Sequence, residues 1–374
     1  SSWHEAFELI DKIPNKSKRK PHKKEIQSTP PTSLTIDQHR AIIQKILDIN
    51  DEGETNLKSL SGGKNNKVYK VITNNEVFLA KAYYRNSNDN RSRQHNEVTF
   101  LEYLNQNKSK WTPKVISNDF ENGISIFSWI EGSTFEENQT VSLEIWKQCI
   151  SFLNFIQNLR NSPLEKNLPP ASEAAFSYQE HLGILQKRHD SWLQIAEFSA
   201  LDTMPEEIKK LIVNEIEDNY CELSSCLLRH PDFTRKLTRE EQIVSPSDFG
   251  LHNAILQNNT QLRFIDFEYA GWDDPAKMLA DFFAQPRITA PSQLYSHFKD
   301  TLASYMPEQA KNLFYQRLPL IDKIVRLKWC YIILNSWHPV EKKRRNFAGL
   351  KSEEINITIS KIKNLLKEQS TDQL

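Results

Sequence analysis

The sequence predicts an α+β protein in two lobes, with a small five-stranded antiparallel sheet followed by a large and mostly helical part. Two observations support this fold class. Short runs rich in β-branched and aromatic residues fall between residues 56 and 129, and Asn74-Asn75 suits a two-residue hairpin turn between two of them. From Glu131 onward, apolar residues recur at helical spacing, interrupted by one strand hairpin between Ala254 and Phe267.

The individual elements follow from local signals. Thr35 and Gln38 form a capping box ahead of an amphipathic helix that ends before Gly53. A second helix is predicted over residues 91–106. The predicted strands are Leu57–Ser61, Val68–Thr73, Val77–Tyr84, Val115–Ile116 and Ile124–Trp129. The later helices are predicted over Leu143–Leu159, Tyr178–Phe198 and Ile208–Leu228, and helices resume after the hairpin to about residue 367.

The chain divides into three parts on this basis. Residues 1–36 are predicted to be an N-terminal extension or linker, because a basic run from Lys16 to Lys24 is followed by Pro30-Pro31. We favour a solvated linker over contact with an anionic surface. Residues 37–130 form the N-terminal lobe, and residues 131–374 form the C-terminal helical lobe.

Composition and cysteine spacing give no support for several classes of protein. Lysine and arginine together number 48, as do aspartate and glutamate, so the zero net charge gives no argument for nucleic-acid or membrane binding. No apolar run approaches the length of a membrane span. The cysteines form no CxxC pair and no cluster with metal-ligand spacing, and we interpret them as free thiols of a cytoplasmic protein.

Two glycines between predicted strands form a candidate phosphate-covering loop. Gly62 and Gly63 follow Ser61 and precede Lys64. Glycine permits a tight turn and a close approach of the backbone to a phosphate group. An ordinary hairpin turn explains the same residues equally well.

A lysine and a glutamate each fall on an apolar face. Strand alternation places Lys81 on the same apolar face as Leu79 and Tyr83. On that face, either Lys81 pairs with an anionic group or its side chain extends to solvent at the edge of the sheet. Glu97 shares a helical face with Leu101. Since a buried carboxylate needs a partner, we predict a Lys81–Glu97 ion pair of the kind that positions a phosphate.

The strongest evidence for a catalytic or metal-binding site lies in the predicted hairpin and just before it. Asp248 and Asn253 are five residues apart, and Asp266 follows at the end of the hairpin. A hairpin centred on Asn259 and Thr260 would place Asn253 opposite Asp266, where two oxygen ligands suit Mg²⁺ held with nucleotide phosphates. Asp248 could then accept or orient the proton of a hydroxyl group. A polar turn with solvated acids is the alternative.

The types and order of Lys81, Glu97, Asp248, Asn253 and Asp266 along the chain resemble the pattern of the aminoglycoside phosphotransferase and choline kinase superfamily, which is related to protein kinases. The resemblance covers roughly residues 37–340. It implies a protein-kinase-like fold, ATP and Mg²⁺ as cofactors, and a small-molecule hydroxyl as the phosphate acceptor. Residues 37–130 would then be the nucleotide-binding lobe, and residues 131–374 would carry the catalytic and substrate sites.

The same resemblance implies individual roles. Lys81 would contact the nucleotide phosphates with Glu97 orienting it, Asp248 would be the catalytic base, and Asn253 and Asp266 would be metal ligands. The segment 124–132 resembles the hinge between the lobes, where backbone from Ser128 to Ile130 would hold the adenine. The segment 264–271 closely resembles the metal-binding segment of choline and ethanolamine kinases.

The chain also departs from the superfamily pattern. Pro246-Ser247 replaces the usual His-Gly before the catalytic aspartate, and Leu251-His252 replaces the usual Pro-Gly before the asparagine. Asp274-Pro275 is retained as a helix start, but Met278 replaces the second acid. No Ala-Pro-Glu segment follows Asp266, which argues against a protein kinase.

The acceptor site is the least defined part of the sequence. An acidic and aromatic group could hold a cation such as an amino alcohol or aminosugar, although capping and core packing explain the same residues: Glu268, Tyr269, Trp272, Asp273 and Asp281. Four later residues could line a sugar-binding wall or simply belong to the core: Trp329, Asn335, Trp337 and His338.

Three hypotheses remain open from the sequence. The first is a small-molecule kinase for a sugar, aminosugar or amino alcohol, which the set formed by Lys81, Glu97, Asp248, Asn253 and Asp266 favours. The second is a nucleotide-binding pseudokinase or regulatory module, which the altered sequence before the catalytic aspartate favours. The third is a protein-directed kinase or nucleotidyl transferase.

Overall fold

The computed structural model describes most of the two predicted lobes. The described residues are 34–49, 55–60, 66–74, 76–84, 92–137, 139–160, 167–197, 204–338 and 354–367. Gly62 and Gly63, predicted to cover a phosphate, lie outside the described residues, as does nearly all of the predicted extension.

The five predicted strands of the N-terminal lobe form one antiparallel sheet in the order β1-β2-β3-β5-β4. They are β1 (Asn56–Leu60), β2 (Lys67–Ile72), β3 (Val77–Ala82), β4 (Val115–Asp119) and β5 (Ile124–Ser128). Lys81 in β3 lies opposite Val68 of β2 and Ser125 of β5. Hydrogen bonds on both sides therefore fix the backbone of this lysine at the centre of the sheet.

The helix α1 (Ile36–Ile46) completes the core of the small lobe. It begins at the predicted capping box, in which the side chains of Thr35 and Gln38 bond to each other's backbone N–H groups. Ile43 is fully buried and belongs to the same apolar cluster as Tyr69 and Val71 of the sheet. Burying this stripe of the helix stabilises the sheet from one side.

The helix α2 (Arg93–Gln106) connects the sheet to the larger lobe. Leu101 and Leu104 are fully buried, as their shared face with Glu97 predicts. The ring of Phe100 lies 5.1 Å from that of Phe267, which follows the hairpin of the C-terminal lobe. The two lobes thus share one apolar core through this helix.

Helices dominate the chain after the sheet. They are α3 (Leu143–Asn158), α4 (Tyr178–Glu197), α5 (Glu206–Lys210), α6 (Glu217–Leu228), α7 (Pro275–Ala284), α8 (Tyr295–Ser304), α9 (Glu308–Leu334) and α10 (Ile355–Lys367). The long α9 packs against α4, α6, α7 and α10. The helix predicted over Ile208–Leu228 is present, but the π-helical turn Leu211–Ile216 within it separates α5 from α6.

The C-terminal lobe contains more strands than the one predicted hairpin. That hairpin is present as β8 (Ala254–Gln257) and β9 (Gln261–Phe264). In addition, β6 (Ser133–Thr134) pairs with β8, and β7 (Ile243–Ser245) pairs with β10 (Gly271–Asp273). Strands of two or three residues are too short to show alternation in the sequence.

The four cysteines are free thiols, as predicted: Cys149 and Cys330 are buried, and Cys221 and Cys226 are exposed. Burial raises the pKa of the Cys330 thiol to about 12, so this group stays protonated at neutral pH. None of the described helices has the length and apolar character needed to cross a membrane.

Asp274 anchors the start of α7 to two other helices. Its Oδ1 accepts a hydrogen bond from the N–H of Ala276 at 2.8 Å, the N-cap contact that the Asp-Pro sequence predicts. Its Oδ2 accepts from Arg317 of α9 at 2.5 Å and from His181 of α4 at 3.1 Å. Burial would raise the pKa of Asp274, but Arg317 and His181 outweigh it and hold the pKa well below its ordinary value.

Replacing Asp274 by asparagine is expected to lower the free energy of unfolding at pH 7 by about 3 kcal/mol, because Arg317 is left buried without a counter-charge. The folded pKa of Asp274 is depressed, so its contribution is complete above the unfolded value of about 4 and is lost as the pH falls towards the folded pKa. Chemical denaturation at a series of pH values from 3 to 7, about one pH unit apart, measures the free energy of unfolding. This free energy should fall less at acid pH in the variant than in the wild type.

The matched control for this measurement is Asp37→Asn, since the Asp37 side chain is 77% exposed in its pair with Arg40. It should change stability by less than about 1 kcal/mol. Equal losses in both variants would contradict the structural role assigned to Asp274.

Candidate active site

A buried ammonium group holds three segments of the chain together. Lys81 Nζ donates to Glu97 Oε2 at 2.7 Å and to Asp266 Oδ1 at 2.5 Å, and it lies 3.7 Å from Glu268 Oε2. Only 7% of the Lys81 side chain is exposed. Burial would lower the pKa of Lys81, but Asp266 and Glu97 outweigh it and hold the pKa well above its ordinary value. The lysine is therefore charged and does not escape to solvent at the sheet edge.

Glu97 is held from three directions. Besides Lys81, its Oε2 accepts a hydrogen bond from the Tyr83 hydroxyl at 2.6 Å, and its Oε1 accepts from the backbone N–H of Phe267 at 3.2 Å. Burial raises the pKa of Glu97, and the attraction of Lys81 offsets only part of this rise. The helix carboxylate thus fixes both the strand lysine and the backbone that follows Asp266.

Asp266 and Glu268 place two further carboxylates beside Glu97. The ligand oxygens of these three residues lie within 4.8 Å of one another. Asp266 has a backbone φ of 67°, and 41% of its side chain is exposed, whereas Glu268 is buried and accepts from the Asn66 amide at 2.6 Å. Three carboxylates around one ammonium leave an excess of negative charge, which a divalent cation would balance.

Asp248 lies in the turn that leads into the hairpin. Its side chain is 40% exposed, and its Oδ1 accepts a hydrogen bond from His252 Nε2 at 2.9 Å. Partial desolvation raises the pKa of Asp248, but the hydrogen bond and charge of His252 outweigh it and hold the pKa below its ordinary value. The carboxylate is therefore ionised at neutral pH and accessible to solvent.

Asn253 braces the same turn, although the predicted register is wrong by one residue. The pairing of Ala254 with Phe264 places Asn253 opposite Ile265, whose N–H donates to the Asn253 carbonyl at 3.0 Å, rather than opposite Asp266. Asp266 leaves the strand through its left-handed backbone, which alternation cannot predict. The Asn253 amide donates to the Asp248 carbonyl at 2.8 Å, so its Oδ1 points away from that bond.

Most of the chain matches one known protein family. A family model described as choline/ethanolamine kinase matches residues 57–323. The chain belongs to the choline/ethanolamine kinase family. The match begins in β1 and ends within α9, so it contains the ammonium site around Lys81 as well as Asp248. The superfamily resemblance drawn from the sequence is thereby confirmed.

Solved structures share the fold of this family member. The choline kinase of Streptococcus pneumoniae has a TM-score of 0.54 and 17% identity, over 89% of this chain and 99% of that one. The ethanolamine kinase of Plasmodium vivax has a TM-score of 0.55 and 13% identity, over 98% and 95% of the two chains. A spectinomycin phosphotransferase with bound ADP and spectinomycin has a TM-score of 0.54 and 10% identity, over 92% and 100%.

At such identities these likenesses show the fold alone, and they confirm the predicted two-lobed, kinase-like architecture. No curated protein matches the sequence.

The residues predicted to hold adenine lie at the end of β5. The N–H of Ser128 donates to the Lys114 carbonyl at 2.9 Å, and its hydroxyl accepts from the Lys114 N–H at 2.9 Å. Both groups of Ser128 are thus used within the sheet. The backbone of Ile130, two residues further on, makes no hydrogen bond to another described residue.

The residues predicted to bind the substrate separate into different environments. Glu268 belongs to the carboxylate group around Lys81. Trp272 is buried in β10, and the Arg239 guanidinium lies 4.0 Å from its ring centre. Asp273 is fully buried and accepts from Lys277 at 2.7 Å. Trp272 is thus packed in the core, and Asp273 is held in a buried ion pair with Lys277. The sequence could not distinguish this from a substrate role, because nothing in it marks Lys277 as the partner of Asp273.

His252 is the site residue that the sequence did not single out as a contact of Asp248. It stands where the superfamily has glycine, and only 8% of its side chain is exposed. The 3₁₀ turn Leu251–Asn253 brings its imidazole back onto the aspartate four residues earlier. One carboxylate oxygen of Asp248 is thereby held, which fixes the direction of the other.

Replacing His252 by alanine is expected to lower kcat for phosphate transfer by about tenfold, the worth of one lost hydrogen bond to a charged group. KM for the nucleotide should change little, because His252 makes no contact with Lys81 or Asp266. Steady-state kinetics test this, with exposed His297→Ala as the matched control. His252→Gln retains a side-chain donor and should recover part of kcat; equal kcat in wild type and His252→Ala would exclude the positioning role.

Proposed function

We propose that this protein transfers the γ-phosphoryl group of ATP to a hydroxyl group of a small molecule. The observation that carries the proposal is the contact of Lys81 with both Glu97 and Asp266, because it joins a strand lysine, a helix carboxylate and a carboxylate next to the hairpin at one point. Phosphate-transferring sites of kinase-like folds require this combination. Membership of the choline/ethanolamine kinase family and the ADP bound to a spectinomycin phosphotransferase of the same fold support the use of a nucleotide.

The proposed roles follow from the positions of the side chains. Lys81, held by Glu97, would bind phosphate oxygens as a fixed positive charge. Asp248, ionised and exposed, would accept the proton of the acceptor hydroxyl or orient that hydroxyl in line with the phosphorus. The proton would pass to a carboxylate oxygen of Asp248 as the new oxygen–phosphorus bond forms, and ADP would leave.

The carboxylates near Lys81 fit a divalent cation. Asp266 and Glu268 offer oxygen atoms within a few ångströms of each other, and Asn253 offers an amide oxygen from the adjoining turn. These are the oxygen ligands that Mg²⁺ prefers when it binds together with phosphate groups. A bound Mg²⁺ would neutralise charge on the phosphates during transfer.

Replacing Asp248 by alanine is expected to lower kcat for phosphate transfer by about a thousandfold while nucleotide affinity is unchanged, because Asp248 makes no contact with Lys81 or Asp266. The assay uses purified protein, Mg-ATP and a panel of sugars, aminosugars, amino alcohols and aminoglycosides, with nucleotide binding measured in parallel. Full activity in the variant would disprove the assigned role. Nucleotide binding by the wild type without transfer to any acceptor would favour a pseudokinase.

Replacing Asp266 by alanine is expected to abolish the dependence of nucleotide binding on Mg²⁺, because the exposed carboxylate of the group around Lys81 is lost. Isothermal titration with ATP at several Mg²⁺ concentrations measures this. Asp281→Asn, which changes a carboxylate paired with lysines in α7 and α9, is the matched control and should keep the Mg²⁺ dependence. Equal Mg²⁺ dependence in the wild type and Asp266→Ala would contradict the proposed ligand.

A further inference from the structure

Glu268 is a buried carboxylate that lies near an ammonium group without a hydrogen bond to it. Only 4% of its side chain is exposed, and its Oε2 lies 3.7 Å from Lys81 Nζ. Lys81 donates instead to Glu97 at 2.7 Å and to Asp266 at 2.5 Å. Because a buried carboxylate is costly unless donors reach it, Glu268 needs a donor from another part of the chain.

That donor is the side chain of Asn66 in the small lobe. Asn66 Nδ2 donates to Glu268 Oε2 at 2.6 Å, although the two residues are 202 positions apart in the sequence. Among the residues that the structure describes, no second hydrogen-bond donor reaches this carboxylate. Its Oε1 therefore keeps its capacity to coordinate a further group.

The orientation of the Asn66 amide is fixed by the sheet. Asn66 directly precedes β2, whose first residue Lys67 pairs with Ala82 at the end of β3. The backbone N–H of Tyr84, just beyond β3, donates to Asn66 Oδ1 at 3.1 Å. A flipped amide would place its oxygen against the Glu268 carboxylate and its NH₂ group against an N–H, so both contacts favour the same orientation.

The small lobe thus orients two members of the group of three carboxylates. The Tyr83 hydroxyl donates to Glu97 at 2.6 Å, and the Asn66 amide donates to Glu268. The third member, Asp266, has 41% of its side chain exposed. Since the oxygens of all three lie within 4.8 Å of one another, the two buried carboxylates are held next to the one that solvent reaches.

A donor that holds a metal ligand affects how tightly the metal binds. It fixes the orientation of the ligand in advance, and its removal typically lowers metal affinity or activity by about 10- to 100-fold. Asn66 has this relation to Glu268. Neither of its hydrogen bonds to described residues involves Lys81 or Asp266, so its effect on the carboxylate group passes through Glu268.

We propose that Asn66 is a positioning residue for a divalent cation, because it orients the Glu268 carboxylate from the small lobe. The proposal rests on the proposed function, which assigns Asp266 and Glu268 to Mg²⁺ bound together with a nucleotide. Asn66 is itself neither a metal ligand nor a catalytic residue. Binding of the cation then depends on the position of β2 relative to the segment that follows Asp266.

Isothermal titration of the full chain with a non-hydrolysable ATP analogue tests this role without turnover. Titrations in EDTA and in Mg²⁺ give two dissociation constants, and their ratio is the gain in nucleotide affinity that Mg²⁺ provides. Asn66→Ala is expected to lower this gain by about tenfold, while the affinity in EDTA stays unchanged. A wild type without such a gain, or an unchanged gain in Asn66→Ala, would overturn the positioning role.

The matched control is Asn74→Ala, since Asn74 is exposed just beyond the other end of β2. This variant should show the wild-type gain. Thermal unfolding of each variant without ligand establishes that it is folded before titration. A gain lowered equally in Asn74→Ala and Asn66→Ala would attribute the loss to the strand as a whole and overturn the role of the Asn66 amide.

A double-mutant cycle shows whether Asn66 acts through Glu268. In the Glu268→Ala background, which retains Asp266 and Glu97, Asn66→Ala is expected to lower the Mg²⁺ gain no further. The same tenfold loss in both backgrounds would show that Asn66 acts by another route and would overturn the proposal.

Phosphate-transfer assays on the same proteins separate this inference from the proposed function. A lowered Mg²⁺ gain in Asn66→Ala, without phosphate transfer by the wild type to any acceptor, would uphold the positioning role and count against the enzymatic role. Phosphate transfer by the wild type, with an unchanged Mg²⁺ gain in Asn66→Ala, would uphold the enzymatic role and overturn the positioning role.

Discussion

The organisation of the site depends on one buried ammonium group. Lys81 lies at the centre of the five-stranded sheet, and its charge is stabilised only because Glu97 and Asp266 reach it from a helix and from the C-terminal lobe. A buried lysine without these partners would be strongly unfavourable. The requirement to neutralise it therefore fixes the positions of α2 and of the segment after β9 relative to the sheet.

The apolar core supports the same arrangement. Phe100 on α2 packs against Phe267, while Glu97 one turn earlier on that helix accepts the Phe267 N–H. The helix thus holds the carboxylate segment by both a ring contact and a hydrogen bond. Because this segment directly follows Asp266, packing in the core sets the direction of a side chain that is itself partly exposed to solvent.

The described residues contain two charge clusters that differ in their balance of positive and negative groups. Around Lys81, three carboxylates exceed one ammonium group, which suits a divalent cation and phosphates. Around Asp281, two lysines match two carboxylates, so this cluster carries no excess charge. Asp248 lies in the turn before the hairpin, and His252 holds its carboxylate.

Strand alternation, helical periodicity and caps are local properties, so the amino-acid sequence predicts the fold class, the five strands, the buried positions of Lys81 and Glu97 and the capping role of Asp274. Contacts between segments that are distant in the sequence set the register of Asn253, the short strands β6, β7 and β10, and the pairing of Asp281 with Lys328. The register depends on a left-handed Asp266 that no pattern reveals. The lysines that pair with Asp273 and Asp281 lie on α7 and α9. The contact with Lys328 of α9 follows from helix packing, so acidic residues that resemble a cation site in the sequence already have counter-charges in the fold.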